Sequence, residues 1–252
     1  RFEFMLYRML LARRWLDYPQ FQALTSTTPL PGPRLALSLP ETTARRAMFV
    51  SHQMPGVQVF DGVRYSPGWI GAALSYKYLA QQALAAQWPQ LEVMEDDVLF
   101  LPDYVEHKAV VDAYLAQRSG QWDVFVGLIA IMHPDTRVLG VERQGGLVFI
   151  TIDRMISMVH NIYAPTVLRL LAQWDERHAD PETNTIDRYL QTQSQQRVVT
   201  TLPFLVGHHE ELHSSLWGIQ NSQYAEIIAR AQSELEAKVR AFEQNTSCHG
   251  VT

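Results

Sequence analysis

Glu95, Asp96 and Asp97 are three consecutive carboxylates, with Leu91, Val93 and Met94 before them and Val98, Leu99 and Phe100 after. Apolar residues on both sides place the acids where a buried strand ends at a core. Adjacent like charges repel, and burying one without a partner is expensive. A divalent cation is the simplest partner. Hard oxygen ligands suit Mg²⁺ or Mn²⁺, and such ions often also hold a substrate diphosphate. Taken alone, the motif fits a solvated acidic turn at a strand end equally well.

A strand–helix alternation leads up to this cluster. Residues 34–39 read as a first strand and 41–54 as a helix carrying Arg45 and Arg46. Residues 57–60 form a second short strand that ends in Asp61-Gly62. Ser66-Pro67-Gly68 opens a helix over 69–88, and Pro89 stops it before the acidic strand. Strand, helix, strand is the start of a parallel sheet. If 91–100 is one extended strand, Glu95 and Asp97 share a face and Asp96 takes the other.

Beyond the acids, the pattern predicts a helix over 103–117 and a strand over 122–131. Two strand-like runs within 139–158 are split by Gly145-Gly146, and a helix covers 164–174. A polar loop starts at Asp180-Pro181, a short helix spans 186–191, and a last strand spans 198–206. The loop 207–220 holds His208, His209 and His213, an amphipathic helix covers 222–242, and the residues after Gln244 read as a frayed tail. The expected division is 1–33 as an N-terminal helix and Pro-rich linker, 34–220 as the main domain, and 221–252 as a C-terminal helix and tail.

Hydrophobic residues make up 47% of the 252 and charged residues 19%, which supports a sizeable core. A net charge of −5 with no long basic run argues against nucleic acid as the main partner. Cys248 is the single cysteine, so no disulfide framework exists and a reducing, cytoplasmic compartment is expected. Residues 2–17 read as a helix with Phe2, Leu6, Met9, Leu10 and Leu16 on one stripe. It either docks on its own domain or on an adjoining N-terminal domain, since the chain begins at Arg1, or makes a basic amphipathic contact with the inner membrane face.

The order of motifs resembles the glycosyltransferase family that includes bacterial lipopolysaccharide galactosyltransferases and the collagen galactosyltransferase domain. Leu37-Ser38-Leu39-Pro40-Glu41-Thr42-Thr43-Ala44-Arg45 stands where that family has an Ile-Asn-Leu-Asp-x-x-x-x-Arg turn. Asp61-Gly62, then Pro67-Gly68-Trp69-Ile70-Gly71-Ala72-Ala73-Leu74-Ser75-Tyr76, then Glu95-Asp96-Asp97-Val98 follow in the family's order. Trp122-Asp123-Val124, Asn161-Ile162-Tyr163-Ala164, Asp187 and Pro203-Phe204-Leu205-Val206-Gly207, with Ser214 or Ser215 beyond, complete the resemblance over roughly 35–218. Ser38, Pro40 and Tyr76 depart from the family's Asn, Asp and His. These departures bear on donor identity more than on fold.

The resemblance implies an α/β fold of GT-A type, a nucleotide-sugar-binding sandwich with a mostly parallel mixed sheet and flanking helices. It implies a UDP-sugar donor, a saccharide acceptor and a Mn²⁺ or Mg²⁺ cofactor, in lipopolysaccharide or surface polysaccharide assembly. Asp97 is then the direct metal ligand, with Glu95 in support and Asp96 near the donor's sugar or ribose. His208 or His209 completes the metal shell. Leu37, Ser38, Arg45, Gly71 and Ser75 are donor contacts, although helix–sheet packing explains Gly71 and Ser75 equally well. An inverting transfer needs a general base. Asp187 ranks first, ahead of Glu210, Glu211 and Asp153. Two other readings stand beside this one: a non-catalytic carbohydrate- or nucleotide-binding domain, and another metal-dependent nucleotidyl or phosphoryl transferase. The last lacks a P-loop signature in the sequence.

Overall fold

The computed structural model describes residues 2–178, 180–193, 196–210 and 224–249. In chain order, α1 (Phe2–Ala12) and α2 (Tyr18–Thr25) precede β1 (Arg34–Ser38), α3 (Thr43–Ser51), β2 (Gln58–Asp61), α4 (Gly68–Ala85), β3 (Leu91–Glu95) and β4 (Val98–Phe100). There follow α5 (Tyr104–Gln117), β5 (Val124–Val126), β6 (Val138–Gln144), β7 (Leu147–Ile152), β8 (His160–Tyr163) and α6 (Pro165–Gln173). The chain continues through α7 (Pro181–Asn184), α8 (Ile186–Thr192), β9 (Val198–Leu202), β10 (Val206–His208) and α9 (Tyr224–His249).

Among the described residues the main sheet runs β2-β1-β3-β8-β5-β9-β7-β6. Only β1–β2, β1–β3 and β5–β9 pair in parallel, and the other four pairings are antiparallel. The expected mostly parallel sheet is therefore corrected to a mixed, mostly antiparallel one. The cause is β8, which inserts antiparallel between β3 and β5, together with the β6–β7 hairpin. That hairpin turns at Gly145-Gly146, both at positive φ, which glycine adopts without a steric penalty.

β8 was not legible as a strand because two of its four residues are polar. His160 and Asn161 are both fully buried, and each is hydrogen-bonded through one side-chain nitrogen. The Asn161 amide donates to the Ser157 carbonyl at 2.9 Å, and His160 Nε2 lies 2.9 Å from Glu92 Oε1. Glu92 also accepts from Arg34 Nε at 2.9 Å and lies 3.2 Å from Lys108 Nζ. This buried network ties β1, β3, β8 and α5 together. Burial alone would raise the Glu92 carboxyl, but His160, Lys108 and Arg34 hold it well below its usual range.

One apolar core runs from Phe4 on α1 to Val239 on α9. The Phe4 ring packs against Phe21, Phe60 and Tyr78. Arg8, buried on the same helix, donates from Nε to the Gly62 carbonyl and from Nη2 to Glu41 at 2.6 Å. Helix α1 ends at Ala12, short of the expected 17, as Arg14 takes positive φ. At the other end, α9 continues to His249, where a frayed tail was expected. No helix among the described residues is long and apolar enough to cross a membrane.

Candidate functional site

Three parallel strands end side by side. Ser38 is paired with Asp61, and Leu37 with Glu95, so the last residues of β1, β2 and β3 share one edge of the sheet. Ligands of open α/β sheets bind beyond such carboxyl ends. A cavity of about 790 Å³ lies there, lined by Leu37, Ser38, Glu95, Asp96 and Asp97 among others. That volume is in the range of small-molecule sites.

Asp96 and Asp97 do not continue β3. They form a two-residue turn, and the chain resumes as β4 in a separate two-stranded ribbon. The expected alternation of faces is therefore corrected, because the period of two holds only along an extended strand. The turn aims both carboxylates at one cation. Arg45, buried on the first turn of α3, donates from Nε to Asp96 Oδ1 at 2.9 Å. Its Nη2 reaches Asp96 as well and lies 2.8 Å from Asp97 Oδ2. A planar guanidinium suits such a bridge. Ser38 Oγ donates to Asp96 Oδ2 at 2.7 Å, so Asp96 is held by β1 and α3 together.

The β4–β10 ribbon brings the late histidines to the turn. Val98 pairs with His208, and the His209 backbone N–H donates to the Asp97 carbonyl at 2.9 Å. His208 Nε2 stands 3.3 Å from Asp97 Oδ2. Burial would raise the Asp97 carboxyl, but the His208 hydrogen bond and Arg45 hold it below the usual carboxylate range. Glu95, half-buried beside it, behaves oppositely. Burial and the Asp97 charge push Glu95 up to about 8 despite Arg45. His208 lines the cavity. The His209 ring instead packs near His52, with ring centroids 5.9 Å apart. Glu210 follows as an exposed residue and does not line the cavity.

Among the described residues, no group of three or more His, Cys, Asp or Glu side chains could hold a metal ion. The donor set does not fit an all-protein cage. Asp97 and His208 together fit a cation of the Mg²⁺ or Mn²⁺ type that takes one or two protein donors and fills its shell with phosphate oxygens and water. Imidazole favours Mn²⁺ of the two.

Asp187 lines the same cavity, on the first turn of α8, which packs on α4 and α6. Its Oδ1 accepts from Thr185 Oγ1 at 2.8 Å and from the Arg188 N–H at 2.9 Å. Glu95, Asp97 and Asp187 together raise the nearby Tyr76 and Tyr224 phenols, after burial itself. The three carboxylates thus surround one space. Asp153 lies elsewhere, bound to Arg137 and Arg154 at a separate pocket.

Ser75 lines the cavity, donating to the Gly71 carbonyl at 2.7 Å and accepting from the Val63 N–H at 2.8 Å. Gly71 faces the 63–65 loop: a Cβ there would meet the Val63 carbonyl oxygen at 2.6 Å. Glu211, His213, Ser214, Ser215 and Trp217 lie outside the described residues. Sequence reasoning missed Arg64, Ile131, Ile156 and Tyr224, which also line the cavity. Tyr224 opens α9 within 5.1 Å of the His208 ring, centroid to centroid. No spacing signal marks such residues, since Arg64, Ile131 and Ile156 lie outside the regular elements and all four reach the cleft through tertiary packing. Compared with protein-family models and with curated proteins, the chain matches none.

Proposed function

We propose that this chain is a metal-dependent, inverting glycosyltransferase of GT-A type that moves a hexose from a UDP-sugar to a saccharide acceptor. The observation that carries the reading is the Asp96–Asp97 turn at the shared end of three parallel strands, with His208 brought to Asp97 by β10. The order of motifs, which resembles the lipopolysaccharide and collagen galactosyltransferase family, supports the same reading.

In this reading Asp97 and His208 would hold the cation, which would supply positive charge against the leaving nucleoside diphosphate. Arg45 would lie beside the same phosphates, with Asp96, itself held by Ser38, fixing the guanidinium's direction. Asp187 takes the proton of the acceptor hydroxyl across the cavity, from a helix anchored by the buried Ile186 and Leu190.

The deciding experiment is calorimetry of UDP with and without Mn²⁺, on the wild type and on Asp97→Asn. Metal-dependent binding that disappears in the variant is expected. Unchanged UDP affinity in Asp97→Asn rules out the metal role. A second reading, a non-catalytic nucleotide- or carbohydrate-binding domain, is favoured by the Arg45 guanidinium already bridging Asp96 and Asp97. It predicts UDP binding that ignores Mn²⁺.

A further inference from the structure

The cavity has two chemically different ends. Ser38, Arg45 and Asp96 form one hydrogen-bonded polar end. Four isoleucines line it elsewhere: Ile131, Ile156, Ile227 and Ile228. The contacts Arg45–Asp97, Asp97–His208 and His208–Tyr224 lead step by step from the polar end to the N-terminal part of α9, where Ile227 and Ile228 sit.

Ile131 and Ile227 are exposed, at 42% and 37%, although each lies in a concavity. The Ala130 and Ile131 N–H groups both donate to the Ile156 carbonyl, at 3.1 and 3.2 Å, which closes an antiparallel bridge. On the other side, α9 is tied down where Lys238 Nζ donates to the Pro134 carbonyl at 2.8 Å. Apolar side chains facing water in a cavity gain free energy when an apolar group covers them. Asp187 lines the same cavity, so a hydroxyl presented to it has the isoleucines within the same enclosure.

We infer that the acceptor carries an alkyl or aryl group close to its reacting hydroxyl, and that this group seats against Ile131, Ile156, Ile227 and Ile228. The inference rests on the glycosyltransferase reading for the word acceptor, but the subsite can be tested without it. A fully polar oligosaccharide would leave the isoleucine wall wet, whereas a glycoside with an apolar aglycone covers it.

The test measures binding of octyl β-glucoside below its micelle concentration, phenyl β-glucoside and methyl β-glucoside to the full chain by calorimetry. The expected result is octyl or phenyl glucoside binding about ten-fold or more tighter than methyl glucoside, since each buried methylene adds affinity. The octyl and phenyl arms separate an alkyl from an aryl source. In Ile131→Asn/Ile227→Asn the preference should fall below about three-fold, with UDP binding in Mn²⁺ unchanged. Both positions are exposed, and the two single variants serve if the double variant does not fold. Equal affinity for the three glucosides overturns the inference, as does a preference that survives the isoleucine substitutions. UDP binding without any glucoside preference sinks the subsite and leaves the glycosyltransferase reading standing. An isoleucine-dependent preference without UDP binding upholds the subsite and sinks that reading.

Discussion

Arg45 and Asp97 stand 2.8 Å apart, Nη2 to Oδ2, with both side chains at least nine-tenths buried. The pair joins the start of α3 to the turn after β3, and Asp96 shares the same guanidinium. A buried ion pair adds little over an apolar replacement, but removing one partner leaves a charge stranded.

Arg45→Ala should therefore destabilise the fold by about 3–5 kcal/mol. Chemical denaturation measures it. A loss below about 1 kcal/mol, the scale of an exposed pair, would show that the bridge is dispensable.

Asp187→Asn separates a base from a helix-start residue. The amide keeps an oxygen that can accept from Thr185 and Arg188, so the fold and UDP-sugar binding should persist. Turnover should drop by about 10²–10⁴-fold if Asp187 takes the acceptor proton. Near-normal transfer kinetics in this variant would remove Asp187 from the chemistry.

Glu95 makes a pH prediction. Its carboxyl is raised from 4.5 to about 8, first by burial and then by Asp97. A raised carboxyl keeps its proton in the folded chain where the unfolded chain has lost it. Its contribution is thus fully present below about 4.5 and is lost as pH rises through about 8. Glu95→Gln should remove a decline of up to about 1.4 kcal/mol per pH unit in that window. Thermal melts of both proteins from pH 5 to 9 without divalent cations check it: parallel curves are the contrary result.

Gly71→Ala should destabilise by about 1–2 kcal/mol, although alanine is the better helix former. The added Cβ would meet the Val63 oxygen at 2.6 Å and the Tyr65 nitrogen at 2.9 Å, both backbone atoms that cannot swing aside. Val63 and Tyr65 line the cavity, so UDP affinity should fall in the same variant. A stabilised protein with unchanged affinity would show that the loop yields.

Much of the fold was legible because it obeys one period at a time. Helix α4 starts at Gly68 after Pro67, and the β6–β7 hairpin turns at its two glycines, although α4 ends at Ala85, ahead of Gln87 at positive φ and short of the expected 88. At Asp96-Asp97 an acidic turn and a continued strand read equally well, since the stretch has no glycine or proline and is apolar on both sides. The single expected strand over 198–206 divides into β9 and β10 around Pro203, and this break lets His208 join the ribbon with β4. The carboxylates were thus visible as residue types, whereas their convergence on Arg45 and His208 depends on where the chain leaves the main sheet. Asp187 was placed by motif order alone, and the packing of α8 on α4 and α6 brings it to the cavity.

Arg8 has a practical consequence for anyone expressing this chain. Composition suggests starting a clone at Arg34, after the Pro-rich stretch. Such a clone would lack the guanidinium that clasps both the Gly62 carbonyl and Glu41, two parts of the cavity wall. It would also strip the Phe4 and Phe21 rings from Phe60 and Tyr78. A shortened protein that expressed well and bound nothing would be a false negative, because its first thirty-three residues act as a clamp on the cleft.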